Sequence, residues 1–221
     1  VMSPYADAGF LADNLPAALP TILINTPNAT SLPTVINVDN RMGARVMVAH
    51  LAALGHRRIT FITGPESNFE AQQRLQGFRE AMAELLPGAP IEILPGEFTD
   101  LSGHQAGQQL LRLDIRPDAV FAANDMMAIG CLSALHEAGM RVPQDIALAG
   151  FDDIPMARYV TPALTTVRVH ISDLGERALT RLLHVIENPD APTQGEDLMA
   201  SELVVRASCG GSLSEPVARE Q

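Results

Sequence analysis

Ile146-Ala147-Leu148-Ala149-Gly150-Phe151-Asp152-Asp153 is a short apolar run that stops at a glycine and then delivers two carboxylates. An apolar segment of this length suits a strand buried on both faces, as in a parallel sheet covered by helices. Outward from it the same alternation recurs. Upstream, Ala128, Leu132 and Leu135 fall at helical spacing with Gly139 near the helix end, and Ala119 to Ala123 precedes them as a strand. Farther upstream, Ser102 is expected to cap a helix holding Ala106 and Leu110. Ile91 to Leu94 is a short apolar run, and Leu75, Phe78, Met82 and Leu85 mark another helix. Ile59 to Thr63 is a strand, and Gly43 to Leu54 a helix with Ala44, Met47, Val48 and Leu51 on one face. Downstream, Thr165 to Val169 reads as a strand, Ser172 to Glu187 as an amphipathic helix with Leu174, Ala178, Leu182 and Val185 inward, and Glu202 to Ala207 as a final strand. Asn188 to Gln194 reads as a Pro-rich joint and Gly210 to Gln221 as a disordered tail. Before residue 39, Thr21 to Asn25 and Thr34 to Val38 are strands, and Val1-Met2 looks like the end of another.

Right-handed parallel crossovers bring the strand ends at Thr63, Ala123 and Gly150 to one edge of the sheet, where ligands bind in open α/β folds. The residues just past it are Gly64-Pro65, Asn124-Asp125 and Phe151-Asp152-Asp153, amides and acids suited to hydroxyl groups.

The 221 residues are 47% hydrophobic, enough for one full core and part of a second, hence one to two domains. No apolar run approaches the ~20 residues of a membrane span, and the start lacks a signal-peptide pattern. All 15 basic residues are arginine, which removes the phosphate-loop and Schiff-base lysines of several enzyme classes. A net charge of −11 repels a phosphate backbone, so these residues are not expected to grip nucleic acid. Cys131 and Cys209, the latter placed in the tail, supply neither a disulfide framework nor metal spacing, and a reducing cytoplasm fits them. The six histidines show no metal-ligand spacing and read as solvated or locally satisfied. No nucleophile elbow, dinucleotide fingerprint or zinc motif is present, so no enzyme, cofactor or metal is expected.

Several phrases resemble the ligand-binding core of the lactose-repressor family of bacterial transcription regulators. Val38-Asp39-Asn40-Arg41-Met42-Gly43, Leu54-Gly55-His56-Arg57-Arg58-Ile59 and Gly64-Pro65 with Arg74-Leu75-Gln76-Gly77-Phe78 come first. Phe98 with Ser102-Gly103, Ala123-Asn124-Asp125-Met126-Met127-Ala128 and Val142-Pro143-Gln144-Asp145-Ile146 follow. Gly150-Phe151-Asp152-Asp153-Ile154, Thr165-Thr166-Val167 and Glu202-Leu203-Val204-Val205-Arg206 complete the order. The resemblance implies an α/β, two-lobed type I periplasmic-binding-protein-like fold with parallel sheets flanked by helices and an effector between the lobes. It places an incomplete N-terminal lobe at 1–38 and 171–200, a C-terminal lobe at 39–169 and 201–208, and a tail at 209–221. Crossovers fall near Val38-Asp39, Val169-Ile171 and Met199-Ser201. The family's DNA-binding head, hinge helix and two further β-α units have no counterpart in these residues, which implies an exposed sheet edge in the N-terminal lobe.

By the same resemblance Asp152 and Arg74 bind effector; their residue-level alternatives are a cap for the turn 154–159 and a surface pair with Glu70. Asp153 is assigned to that cap. Glu70 is a further cleft candidate, favouring a hydroxyl-rich or cationic ligand. Asn124 and Asp125 open a helix and serve as caps, effector contacts or both, and Phe98 stacks on a ring or plugs the lobe edge. Asp39 caps the Gly43 helix and is a candidate contact, and Asn25 closes an N-lobe strand as a further one. The resemblance implies an effector-sensing domain of a repressor, a homodimer, DNA contact only through a separate head, and no membrane. A sugar or sugar derivative is the expected effector and a purine or nucleoside its competitor. The rivals are a periplasmic sugar-binding protein of a transporter and a hydrolase or nucleosidase on a doubly wound sheet. Asp152→Ala and Arg74→Ala are each expected to abolish ligand binding and leave the fold intact.

Overall fold

The computed structural model describes residues 1–2, 4–5, 8–16, 19–27, 34–188 and 195–211. Helix α1 (Ala8–Asn14) and strands β1 (Leu23–Ile24) and β2 (Val35–Val38) come first. Helices and strands then alternate: α2 (Asn40–Ala53), β3 (Ile59–Ile62), α3 (Phe69–Leu85), β4 (Glu92–Leu94), α4 (Asp100–Leu110), β5 (Ala119–Ala122), α5 (Asp125–Glu137) and β6 (Ala147–Ala149). A 3-10 turn at Pro155–Arg158 leads to β7 (Thr166–Arg168), α6 (Ile171–Glu187), β8 (Glu196–Met199) and β9 (Glu202–Val204).

Side-chain caps decide where α2 to α5 start. Asp39 accepts from the Met42 amide, Asn68 from Ala71, Thr99 from Ser102 and Asn124 from Met127, each satisfying an amide that the helix itself leaves unpaired. The first of these begins α2 at Asn40, three residues ahead of the expected Gly43. Ser102 is not the cap of α4. It lies inside the first turn, where its hydroxyl donates to the Thr99 carbonyl at 2.8 Å, while extended Thr99 has the backbone a cap requires.

The main sheet is parallel in the order β4-β3-β5-β6, with Ile62 beside Ala122 and Phe121 beside Ala149, so three strands end at one edge. β7 extends this sheet through Gly150 N to Thr165 O and Asp152 N to Val167 O. β9 then pairs with β7 antiparallel. The expected strand to Ala207 stops at Val204 and gives way to a 3-10 turn, Ala207–Cys209. Cys209 is therefore no tail residue. It is fully buried, with its sulfur beside His50 Nε2 at 3.3 Å and Thr165 Oγ1 at 3.1 Å. Residues 212–221 and 189–194 of the expected tail and joint lie outside the described residues.

A second parallel sheet has the order β1-β2-β8, and Met2 bridges Ile24 of β1 in parallel. β8 and α1 have no counterpart among the expected elements. Two of the four β8 residues are acidic, and its side chains alternate between exposed and half-buried, so backbone bonds to β2 hold it without an apolar stripe. The chain passes between the two sheets at Val38–Asn40, Arg168–Ile171 and Met199–Glu202.

The larger core lies around β3, β5 and β6. Phe61 stacks on Phe78 at 4.8 Å and meets Phe121 edge-on at 5.2 Å. The smaller core joins Ile22, Ile36 and Val38 to Leu174, Ala178 and Val185 of α6, and Val169 packs against both. Leu182, expected inward, is only partly buried. Among the described residues no helix is long and apolar enough to cross a membrane, and no group of three or more His, Cys, Asp or Glu is placed to hold a metal.

Candidate functional site

Arg74 occupies the centre of the strand-end edge. It comes from the second turn of α3 on the face that carries Ala71, Gly77 and Phe78, and its side chain is 5% exposed. Nε donates to Asn40 Oδ1 at 2.7 Å, and Nη1 donates to the Ala123 carbonyl at 2.6 Å and to Asp152 Oδ1 at 2.9 Å. Nη2 faces Glu70 Oε1 at 3.6 Å. The guanidinium plane lies over the Phe151 ring at 3.9 Å, with Phe98 at 5.9 Å. The surface pair weighed for Arg74 and Glu70 is thus a buried one. Removing the guanidinium would strand Asn40, the Ala123 carbonyl and Asp152, so Arg74→Ala cannot leave the fold untouched.

Asp152 keeps 31% of its side chain open and sits at φ 107, and Asp153 follows at φ 56. Two consecutive non-glycine residues in the left-handed region are strained, and their surroundings fix them. Asp153 does this rather than capping the next turn. Its buried carboxylate receives Arg168 Nε at 2.7 Å and Arg206 Nη2 at 2.6 Å. Burial works against its ionisation, but these two guanidiniums outweigh it and hold its pKa below the usual carboxylate value. The turn amide at Ile154 is satisfied by Asp125 Oδ2 at 2.9 Å instead.

Asp125 lies beneath the site and not in it. It is fully buried, its Oδ1 accepts the Thr166 hydroxyl at 2.6 Å, and burial pushes its pKa up to about 7. Asn124 spends its oxygen on the α5 cap and donates Nδ2 to the Phe98 carbonyl at 3.0 Å, which fixes Phe98 at φ 59 with its ring against Gly64. A β-carbon at position 64 would collide with that ring, so glycine there lets Phe98 close one side of the site. Asp39 caps α2 and lines a cavity of about 390 Å³ together with Asn40, Arg41, Gln73 and Glu196.

Glu70, on α3 one turn before Arg74, is tied to the other sheet. Asn25, buried and at φ 50 after β1, donates Nδ2 to Glu70 Oε1 at 2.9 Å. Burial raises the pKa of Glu70, opposed by Arg74 and assisted by Asp152; burial likewise raises Asp152, opposed by Arg74. Arg74, Asp152, Glu70 and Phe98 are therefore brought together with Asn25, whereas Asp125 is buried beneath them and Asp39 is the α2 cap beside Asn40. Asn40 and Phe151, not singled out from the sequence, hold the arginine. The signal for them lay in the phrases themselves: an amide directly after the cap Asp39, and an aromatic directly before Asp152. The arrangement offers carboxylate oxygens for donors and the half-buried Phe98 ring for a flat ligand. It contains no positioned nucleophile and base.

Residues 48–209 match the family described as the periplasmic binding protein-like domain. The chain is 37% identical over 177 residues to the ribose operon repressor of Escherichia coli (strain K12), covering 80% of the chain and 54% of that protein. It is 39% identical over 178 residues to the HTH-type transcriptional repressor PurR of Salmonella paratyphi B, covering 80% of the chain and 52% of PurR. Among solved structures, the lac repressor dimer bound to operator and an anti-inducer superposes with a TM-score of 0.80 at 30% identity, over 87% of this chain and 57% of that one. The chain belongs to the lactose-repressor family. A ribose-bound regulator of this family from Enterococcus faecium matches with a TM-score of 0.77 at 29% identity, over 85% of this chain and 69% of its own. This lactose-repressor-type, effector-binding α/β domain spans about half the length of the curated repressors it matches. Those relatives are transcriptional or operon repressors by name.

Proposed function

We propose that the chain is the effector-sensing part of a transcriptional repressor and binds a sugar or sugar derivative between two lobes, 1–38 with 171–200 and 39–169 with 201–208. The observation that carries this reading is the Asn25–Glu70–Arg74–Asp152 chain of contacts, which begins on one sheet and ends on the other. A ligand that bonds Asp152 and Glu70 while touching the Asn25 side binds one relative orientation of the lobes better than another, as any shape-changing effector must. The ribose-bound neighbour and the ribose operon repressor favour a sugar; PurR keeps a purine as the second reading. DNA contact belongs to a part of the repressor outside these residues, in a cytoplasmic homodimer. Leu101, Met126, Met156 and Tyr159, from α4, α5 and the turn after Asp153, are exposed apolar side chains and are the candidates for contact with the partner copy.

Thermal melts with ribose, related free sugars and purines test the reading. Stabilisation should grow with ligand concentration over Kd, and Asp152→Asn should remove it. No shift with any of them at millimolar concentration rejects it, and a signal peptide in the upstream coding region would transfer the domain to the transporter class.

A further inference from the structure

We infer that Glu70 restricts the site to uncharged ligands: together with Asp152 it sets two carboxylates around the one guanidinium of Arg74, and the surplus negative charge turns phosphorylated and carboxylated compounds away. The inference rests on the sensing reading above and adds the charge class of the ligand.

A buried arginine beneath an open edge is ordinarily an invitation to phosphate or carboxylate. Here most of its donors are committed. Nε and Nη1 serve Asn40, Ala123 and Asp152, and one face is covered by Phe151. Nη2 makes no hydrogen bond among the described residues and has Glu70 Oε1 beside it at 3.6 Å, so a ligand that reaches Nη2 must come up against that carboxylate. Arg168 and Arg206, which reach toward the residue after Asp152, are held by Asp153, and Arg168 is shared with Glu202. Asp125 adds a further carboxyl below Asp152.

Glu70 cannot swing this charge aside, because buried Asn25 holds Oε1 from the opposite sheet. Oε2 of Glu70 and Oδ2 of Asp152 have no protein partner among the described residues. Ionised, they accept only, so they suit hydroxyl or amide donors and repel an anion. Like charges brought together in a partly buried site cost enough to weaken an anionic ligand by roughly 10- to 100-fold.

The test pairs D-ribose with D-ribose 5-phosphate, and a purine nucleoside with its 5′-phosphate, on wild type and Glu70→Gln, by thermal shift and calorimetry at pH 7.5. The amide side chain of this variant would keep an oxygen for Asn25 and lose the charge. The wild type should answer only to an uncharged member, and Glu70→Gln should gain at least about 10-fold for its phosphorylated partner. Equal wild-type affinity for both members of a pair, or no gain in the variant, overturns the inference and leaves sensing intact. Silence of both proteins toward every compound counts against the sensing reading, and melts without ligand then decide the charge question. Surplus charge predicts that Glu70→Gln melts about 2–4 °C higher at pH 7.5, whereas a lower melting point means Arg74 needs Glu70 and overturns the inference.

Discussion

Phe61, Phe78 and Phe121 fill the space between sheet β4-β3-β5-β6 and its helices, whereas sheet β1-β2-β8 meets α6 through Ile22, Ile36, Val38, Leu174, Ala178 and Val185. The helix lining the second core also leaves Leu179, Leu183 and Ile186 exposed. Both sheets use parallel strands, so strand type does not set the difference; the volume of apolar side chain buried between sheet and helix does. Arg74, Asp152, Asn124 and Phe98 all stand on the better packed side, and Asn25 alone among the candidates that meet there reaches across from the other. On the proposed function, one half fixes the ligand-facing groups and the other registers their occupancy.

Arg74→Ala should break the junction most completely. Ligand binding should fall by more than about 100-fold, and stability by about 3–5 kcal/mol as Asp152 loses its buried partner, read by calorimetry and urea melts. Unchanged stability would mean Asp152 and Asn40 find other partners. Phe61→Ala should cost about 3–5 kcal/mol, and Val185→Ala, removing less volume from the smaller core, about 1–2 kcal/mol; equal losses in denaturant melts would erase the contrast between the cores. The pH response comes next. Asp125 has its pKa raised by burial from 3.8 to about 7, so the folded state holds a proton that the unfolded chain has released. Its contribution is fully present below pH about 4 and lost as pH rises through about 7. Melts at pH 5 and pH 8 should show that loss in the wild type, and Asp125→Asn should remove it. A stability component that grows over the same interval would refute the assignment. The smallest effect is expected at α6: Leu179→Gln should shift stability by less than about 0.5 kcal/mol, because the side chain is exposed.

The legible parts of the fold are those with a local signal. The α2, α3 and α5 faces could be read from apolar spacing, and β3, β5 and β6 from short apolar runs. β8 was not legible, since Glu196 to Met199 carries no apolar alternation and becomes a strand only by lying beside β2. Ser102 and Thr99 are chemically equivalent caps in sequence, and backbone geometry chose Thr99. In the site, Asp152, Arg74, Glu70 and Phe98 were named from phrases. Asn25 stood behind them because nothing near it in sequence reveals that it bonds Glu70, 45 residues away.

By itself the sequence determined the alternating parallel architecture and the residue types gathered at the strand ends, because helical periods, caps and short apolar runs act over neighbouring residues, and its ordered phrases carried the resemblance to the lactose-repressor family. Only the tertiary structure decided which carboxylates meet solvent. Asp125, Asp152 and Asp153 are the same side chain within a few residues of strand ends. Thr166 and Ile154 bury the first, Arg74 leaves the second partly open, and Arg168 with Arg206 lock the third. Burial and the choice of partner set the role of a carboxylate, and both depend on segments distant along the chain.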